Sequence, residues 1–263
     1  MAKVGEILDY FLEVAPVSMK ESWDNVGLLC GRKDRDVTKV LIALDPFLES
    51  AQEASRVGAQ LLLTHHPVMF STKTVSDEDL IGQTLLHLIE QGIATINLHT
   101  NLDSAPGGVN DCLANALGLQ NIQVLESAGY DSHGRDYGLG RYGDAKPQPL
   151  DTFLDFLKES LNCNGLRYVD CGKPVEKIAV GGGACGEFFK KALAVGCDTM
   201  VTADVKYNQF ADAKALGLNL IDAGHYATEQ VVCDYLQSKM ADKFPEIQVI
   251  LSQDNVDHVK YWL

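Results

Sequence analysis

The chain of 263 residues is 46% hydrophobic and 22% charged and carries a formal net charge of −14. This composition excludes a disordered chain, and the excess of carboxylates argues against nucleic acid or anionic lipid as partners, because both are held through clustered Lys and Arg. The longest apolar runs are strand-sized, far short of the roughly 20 residues of a membrane helix, and no basic segment followed by an apolar one opens the chain, so a cytoplasmic protein that does not span a membrane is expected.

Val4, Ile7, Leu8, Phe11 and Leu12 recur at helical spacing and Pro16 ends the pattern, predicting an amphipathic helix over 3–15. Residues 40–45 read as a strand, 48–57 as a helix closed by Gly58 and 60–64 as a second strand, together a βαβ unit. A helix over 79–90 stopped at Gly92, a strand over 93–98 and a helix over 108–117 closed by Gly118 follow. Continuous apolar strands alternating with helices predict a largely parallel α/β sheet. Gly129, Gly134, Gly138, Gly140, Gly143, Pro147 and Pro149 crowd the stretch 126–149, which reads as a domain boundary near residue 125.

The plan then repeats: a helix over 151–161, a strand over 177–180, a helix over 187–195 closed by Gly196, a strand over 198–202, a helix over 208–216 closed by Gly217 and a strand over 218–221. A late strand over 248–251 fits either sheet. Val40 to Leu61 and Ile178 to Thr199 share an offset of 21 positions, which an internal duplication explains and which two βαβ units of standard length also produce by chance. The expected division is into α/β domains 1–125 and 126–263, with the C-terminal strand and the His225/Glu229 helix able to pack back onto the first.

Four of the seven histidines fall in three stretches that follow apolar runs: Thr64-His65-His66-Pro67, His99-Thr100-Asn101-Leu102-Asp103 and Gly224-His225-Tyr226-Ala227-Thr228-Glu229. In parallel α/β sheets ligands collect beyond the carboxyl ends of strands, so the three stretches point to a metal site. Adjacent histidines in extended backbone face opposite sides, so a single ion uses both only where the chain bends; Pro67 keeps His66 out of helical geometry, and two ions with one imidazole each resolve the conflict. His225 and Glu229 are four apart, one turn of a helix, and can share a centre. Mixed imidazole and carboxylate donors suit Zn, Fe, Mn, Co or Ni. The seven cysteines are widely spaced, form no C-x-x-C pair and lie away from these stretches, which argues against structural zinc or an iron–sulfur cluster.

Each stretch also has a plainer reading. A His-His pair after a strand is more often buried or capping, an i,i+4 His and Glu pair arises by accident on many helices, and His99 serves equally as a ligand or as a hydrogen-bonding neighbour of Asp103. Their joint occurrence carries the argument. Trp23-Asp24-Asn25 reads first as a turn or cap with Trp23 as packing, with a wall of the metal cleft as the alternative. Gly181-Gly182-Gly183 ahead of a helix admits a phosphate or serves tight strand-to-helix packing, and lacks the Lys-Ser or Lys-Thr of a P-loop.

Taken in order over nearly the whole chain, Trp23-Asp24-Asn25-Val26-Gly27-Leu28, Thr64-His65-His66-Pro67, His99-Thr100-Asn101-Leu102-Asp103, Gly181-Gly182-Gly183 and Asp222-Ala223-Gly224-His225-Tyr226-Ala227-Thr228-Glu229 resemble the Nif-three-like family of dinuclear metal, type-two GTP cyclohydrolase-like proteins. The resemblance implies metal ligands at His65, His66, Asp103, His225 and Glu229, the residues that the strand-end argument selects. It implies two similar three-layer α/β domains, two divalent transition metal ions in the cleft between them, and a ring-shaped homohexamer. One departure lies in 201–208, where many relatives carry Gly before the Asp at 204 and His in place of Asn208. The inserted domain of longer members is absent, which implies the compact form with an open cleft.

Two functions compete. One is a metal-dependent hydrolase in which two ions roughly 3.5–4 Å apart activate water against a small-molecule substrate, a nucleotide or related phosphorylated metabolite; opening of a guanine ring is implied by the resemblance alone. The other is a non-enzymatic metal-binding or regulatory protein. Only His99, Asp222 and Tyr226 stand near the ligands in sequence as candidates for additional catalytic groups, all three serve equally as outer partners of the ligands, and no catalytic residue is assigned.

Overall fold

The structure, a computed structural model, describes residues 1–262. Strand β1 (Ala2–Lys3) runs into helix α1 (Val4–Val14), whose Val4, Ile7, Leu8 and Phe11 form the buried face that the spacing predicts. After β2 (Gly27–Cys30) comes β3 (Asp36–Val37), which pairs antiparallel with β1. Then β4 (Lys39–Ala43), α2 (Leu48–Val57), β5 (Leu61–Thr64), α3 (Leu80–Gln91) and β6 (Ala94–Asn97) give three parallel strands joined by helices. Helices α2 and α3 stop where Gly58 and Gly92 take left-handed backbone, φ 72° and 63°, at no steric cost. The Asp79 carboxylate accepts the Gly82 N–H at 2.7 Å and caps α3. The short α4 (Thr100–Ser104) follows β6.

The next elements are α5 (Val109–Ala116), the long strands β7 (Gln120–Tyr130) and β8 (Asp136–Gln148), α6 (Leu150–Ser160), β9 (Arg167–Val169) and β10 (Val175–Val180). They continue through α7 (Phe189–Ala194), β11 (Thr199–Thr202), α8 (Tyr207–Leu216), β12 (Asn219–Asp222) and α9 (His225–Glu229). The sheet order is β7-β8-β10-β11-β12-β9, with β10, β11 and β12 parallel. Ile178, Val180, Val201 and Ile221 pack with Phe153 and Leu157 of α6, while the alternate residues Ala179, Met200 and Leu220 pack with Phe189 and Ala192 of α7. Helical layers therefore cover both faces, which is why these strands are apolar throughout.

Helix α10 (Val231–Lys243) leads to β13 (Gln248–Leu251), which pairs parallel with β4 and completes the order β13-β4-β5-β6-β2 with β2 antiparallel at the edge. The late strand thus belongs to the first sheet. Leu41, Ala43 and Leu62 pack against Ala51, Ala54, Leu85 and Leu88 of α2 and α3. Val40, Ile42, Leu61 and Leu63 on the alternate face are buried as well. The pairs Val40↔Leu61 and Ile178↔Thr199 are in register, so the shared offset in sequence is the pairing of the first two parallel strands in each sheet.

The chain divides into two units, Met1–Ala105 with Val232–Val256, and Pro106–Val231 with the tail from Asp257. The division falls ahead of residue 125 because the glycine-rich stretch lies largely within the β7–β8 hairpin. A Cβ on Gly138, at φ 148°, would stand 2.0 Å from the Glu126 carbonyl oxygen, and the pairing shifts register between Ser127 and Gly129. Glycine here permits a bulge and a close strand approach. Among the described residues no helix is long and apolar enough to cross a membrane.

Candidate metal centre

In the first unit the carboxyl ends of three neighbouring parallel strands each deliver a polar group: Asp45 beyond β4, His65 and His66 beyond β5, His99 beyond β6. Strand β5 ends at Thr64 and the chain bends at once: the Thr64 hydroxyl donates to the His66 carbonyl at 2.7 Å, and the His66 N–H donates to the Leu44 carbonyl at 2.9 Å. The bend turns both imidazoles to one side, with ring centroids 4.9 Å apart. Strand alternation therefore does not separate them, and the expectation of one ion per ring loses that support. Ring nitrogens of His65, His66 and His99 lie within 4.8 Å of one another. Asp103, one turn beyond His99 on α4, places Oδ1 3.6 Å from His65 Nε2.

Every imidazole of this group is fixed through Nδ1. His65 Nδ1 lies 2.8 Å from the Leu98 carbonyl, His66 Nδ1 2.7 Å from Asp45 Oδ1 and His99 Nδ1 2.8 Å from Asp24 Oδ1. A carbonyl and an ionised carboxylate only accept, so Nδ1 carries the proton and Nε2 presents its lone pair. That tautomer and orientation are the ones an imidazole needs to bind a metal through Nε2. Asp24 also accepts from the Thr100 N–H at 3.0 Å and from the Thr100 hydroxyl. Burial opposes the Asp24 charge, yet the hydrogen bonds from His99 and Thr100 outweigh it and hold the carboxyl well below the ordinary carboxylate range. The Trp23-Asp24-Asn25 motif is thus part of the site, and Trp23 is not interior packing. The residue is 63% exposed, and its ring centroid lies 6.0 Å from those of both Phe70 and His99.

In the second unit the strand-end rule holds again, with Asp204 beyond β11 and His225 beyond β12. His225 and Glu229 begin and end α9, and His225 Nε2 lies 3.1 Å from Glu229 Oε2. His225 Nδ1 is held by Asp204 Oδ2 at 2.7 Å. Asp222 is a brace rather than a donor: it pairs with Arg167 and accepts the N–H groups of Val205 and Gly224 at 3.0 and 3.1 Å, which fixes the chain on either side. The Gly181-Gly182-Gly183 loop does not offer a phosphate cradle, because its N–H groups already donate to the Val201 carbonyl, Asn110 Oδ1 and Thr228 Oγ1. Its purpose is space. A Cβ on Gly183, at φ 62°, would stand 2.2 Å from Glu229 Oε1 and 3.0 Å from His225 Nε2.

These donors fit a divalent transition metal. Bonds of roughly 2.0–2.1 Å place two ligands of one ion about 3 Å apart, the spacing of the His225–Glu229 pair and slightly below that of His65–Asp103. Among the described residues no cysteine joins these donor groups, and burial pushes the thiols of Cys163 up to about 11 and of Cys197 and Cys233 up to about 12. Of the residues that hold the imidazoles, Asp24 lies in the motif read first as a turn or cap and alternatively as a wall of the metal cleft, while Asp45 and Asp204 carry no metal-site reading from the sequence. The strand-end rule already applied to the histidines finds Asp45 and Asp204 as well.

A family model described as Duf34/NIF3 (NGG1p interacting factor 3) matches residues 2–257. A Clostridium perfringens protein named "GTP cyclohydrolase 1 type 2 homolog" is 34% identical over 263 residues, 98% of this chain and 99% of that protein. Among solved structures, a hypothetical protein of Staphylococcus aureus superposes with a TM-score of 0.90 at 30% identity, covering 99% of each chain. A Bacillus cereus protein related to NIF3 gives 0.91 at 26% identity, covering 100% of this chain and 99% of that one.

Proposed function

The chain belongs to the Duf34/NIF3 family, and from that footing we propose a metal-dependent hydrolase that acts on a nucleotide or related phosphorylated metabolite, with His65, His66, Asp103, His225 and Glu229 as ligands to two divalent transition metal ions. The observation that carries the metal reading is the Nδ1 contact of His65, His66 and His225 to an acceptor, at 2.7–2.8 Å, which orients each Nε2 as a donor. Bound divalent cations supply Lewis acidity, acidifying water and polarising a phosphoryl or carbonyl oxygen. The protein's own part is to hold a proton on each Nδ1, to keep the Asp103 and Glu229 carboxylates beside the imidazoles and to leave room at Gly183. The exposed rings of Trp23 and Phe70, 6.0 Å apart beside His99, offer a surface on which a planar base can rest. A guanine nucleotide is the first substrate to try, because the relatives bear a GTP cyclohydrolase name.

The test is elemental analysis of untagged protein purified without chelator, beside His65→Ala and Glu229→Ala, followed by a nucleotide and phosphoester screen with the metal found. About two equivalents of a transition metal, lost in the variants, together with turnover that Trp23→Ala weakens mainly through KM, is the expected result. Light scattering on the same sample tests the homohexamer that the resemblance implies. Folded protein without metal overturns the hydrolase.

A second reading is a metal-binding or regulatory protein without turnover. One observation favours it: Asp24, Asp45 and Asp204 each have an oxygen committed to an imidazole Nδ1, so the nearby carboxylates serve to orient donors rather than to move protons. Tight metal with no turnover across the screen is its signature.

A further inference from the structure

We infer that Asn255, on the segment that follows β13, is a positioning residue for the His66 donor and acts through Asp45. The inference rests on the metal reading of His66. Strand β4 ends at Ala43, so the N–H groups of Leu44 and Asp45 have run past its strand pairing and need other acceptors. Asn255 Oδ1 accepts both, at 2.8 and 3.1 Å, and Asn255 Nδ2 donates to Asp45 Oδ2 at 3.1 Å. The other Asp45 oxygen receives the His66 Nδ1 proton at 2.7 Å. One buried amide therefore fixes the backbone of Asp45 and the plane of its carboxylate together, and that plane sets where His66 Nε2 points.

The amide is itself held. Glu53 on α2, 3% exposed, accepts the Ser252 hydroxyl and the N–H groups of Gln253 and Asp254, and the Asn255 N–H donates to Ser252 Oγ at 3.0 Å. A buried carboxylate that receives donors from three successive residues fixes the turn, and Asn255, 5% exposed, follows it directly. The C-terminal segment thus reaches across 210 positions of sequence to brace the end of β4. Outer partners of ligating histidines typically change metal affinity 10–100-fold; a group one hydrogen bond further out acts only by way of that partner, so its effect is contained within the partner's own.

The experiment is Zn2+ affinity by competition with a chromogenic chelator on the full chain, with the thermal midpoint of the metal-free protein recorded for each variant. Asp45→Ala is expected to weaken Zn2+ about 10–100-fold and Asn255→Ala about tenfold. The double variant should match Asp45→Ala alone, because Asn255 has no route to His66 once Asp45 is gone. Glu53→Ala loosens the same segment without touching Asp45 and should weaken Zn2+ less than Asn255→Ala. If Asn255→Ala does not fold, Asn255→Asp answers: it keeps the acceptor for both N–H groups, sets a carboxylate oxygen against Asp45 Oδ2, and should also weaken Zn2+. Wild-type affinity in the Asn255 variants, losses that multiply in the double variant, or an equal loss in Glu53→Ala overturns this inference alone. A wild-type chain that takes up no Zn2+ overturns the metal reading and this inference with it.

Discussion

The two donor groups are built to different standards. In the first unit the side chains of His65, His66 and His99 are only 0%, 20% and 13% exposed, and their partners are a backbone carbonyl and two carboxylates at most 13% exposed. In the second unit the His225 side chain is 39% exposed and its partner Asp204 is 55% exposed. Asp204 also sits at φ 52°, a left-handed conformation that Asp tolerates at some cost. Charge-assisted hydrogen bonds weaken in water and strengthen where it is excluded, so the first unit holds its donors in place before any ion arrives. The second holds Glu229 by burial and His225 by a contact open to solvent. The difference teaches that a shared strand-end plan fixes where donors go, while the depth of the surrounding packing decides how firmly they wait.

The comparison breaks most visibly at the proposed ligands. His65→Ala and Glu229→Ala should each reduce metal affinity by well over the roughly 10–100-fold that outer partners cost. Elemental analysis of both shows whether the two groups hold the same ions: if so each variant empties the protein, and if not half the metal stays. Next in size is Asp24→Ala, which removes the acceptor for His99 and for both Thr100 donors. Urea unfolding should show a loss of about 3 kcal/mol, and a variant as stable as wild type would mean that the first group is not braced as described. Gly183→Ala should cost about 2 kcal/mol through its positive φ and displace Glu229; weaker metal binding with the His65 group intact is the result to look for, and unaltered binding would remove Glu229 as a ligand. Asp204→Ala is the gentlest. It should weaken metal about tenfold, the low end for an outer partner, with a thermal midpoint near that of wild type, and a loss as large as that of Asp45→Ala would erase the contrast between the two units.

Much of this was legible from the chain. Continuous apolar strands, helices closed by Gly58, Gly92, Gly196 and Gly217, and histidines just past strand ends all recur in the structure within a residue or two. Local backbone preference and periodicity write these signals, and both depend on near neighbours in sequence. The stretch 126–149, most of it in the β7–β8 hairpin, reads in sequence as a domain boundary because glycine marks a loop and a bulged strand alike, and only the partner strand tells them apart. Whether the chain bends at His65–His66 is undecided in the sequence for a related reason: the His66 N–H donates to the Leu44 carbonyl, which lies past the end of the neighbouring strand.

The sequence by itself determined the alternation of elements, the residue types able to bind metal and their place at the carboxyl ends of strands, because each of these is encoded within a few tens of residues. Tertiary structure alone decided which sheet takes the strand Gln248–Leu251, that Asp24 holds His99, and that Asn255 reaches Asp45. These contacts join residues far apart in the chain. A carboxylate or an amide looks the same in sequence whether it caps a turn, faces water or fixes a proton on an imidazole, and only the packing that removes water around it assigns one of those roles.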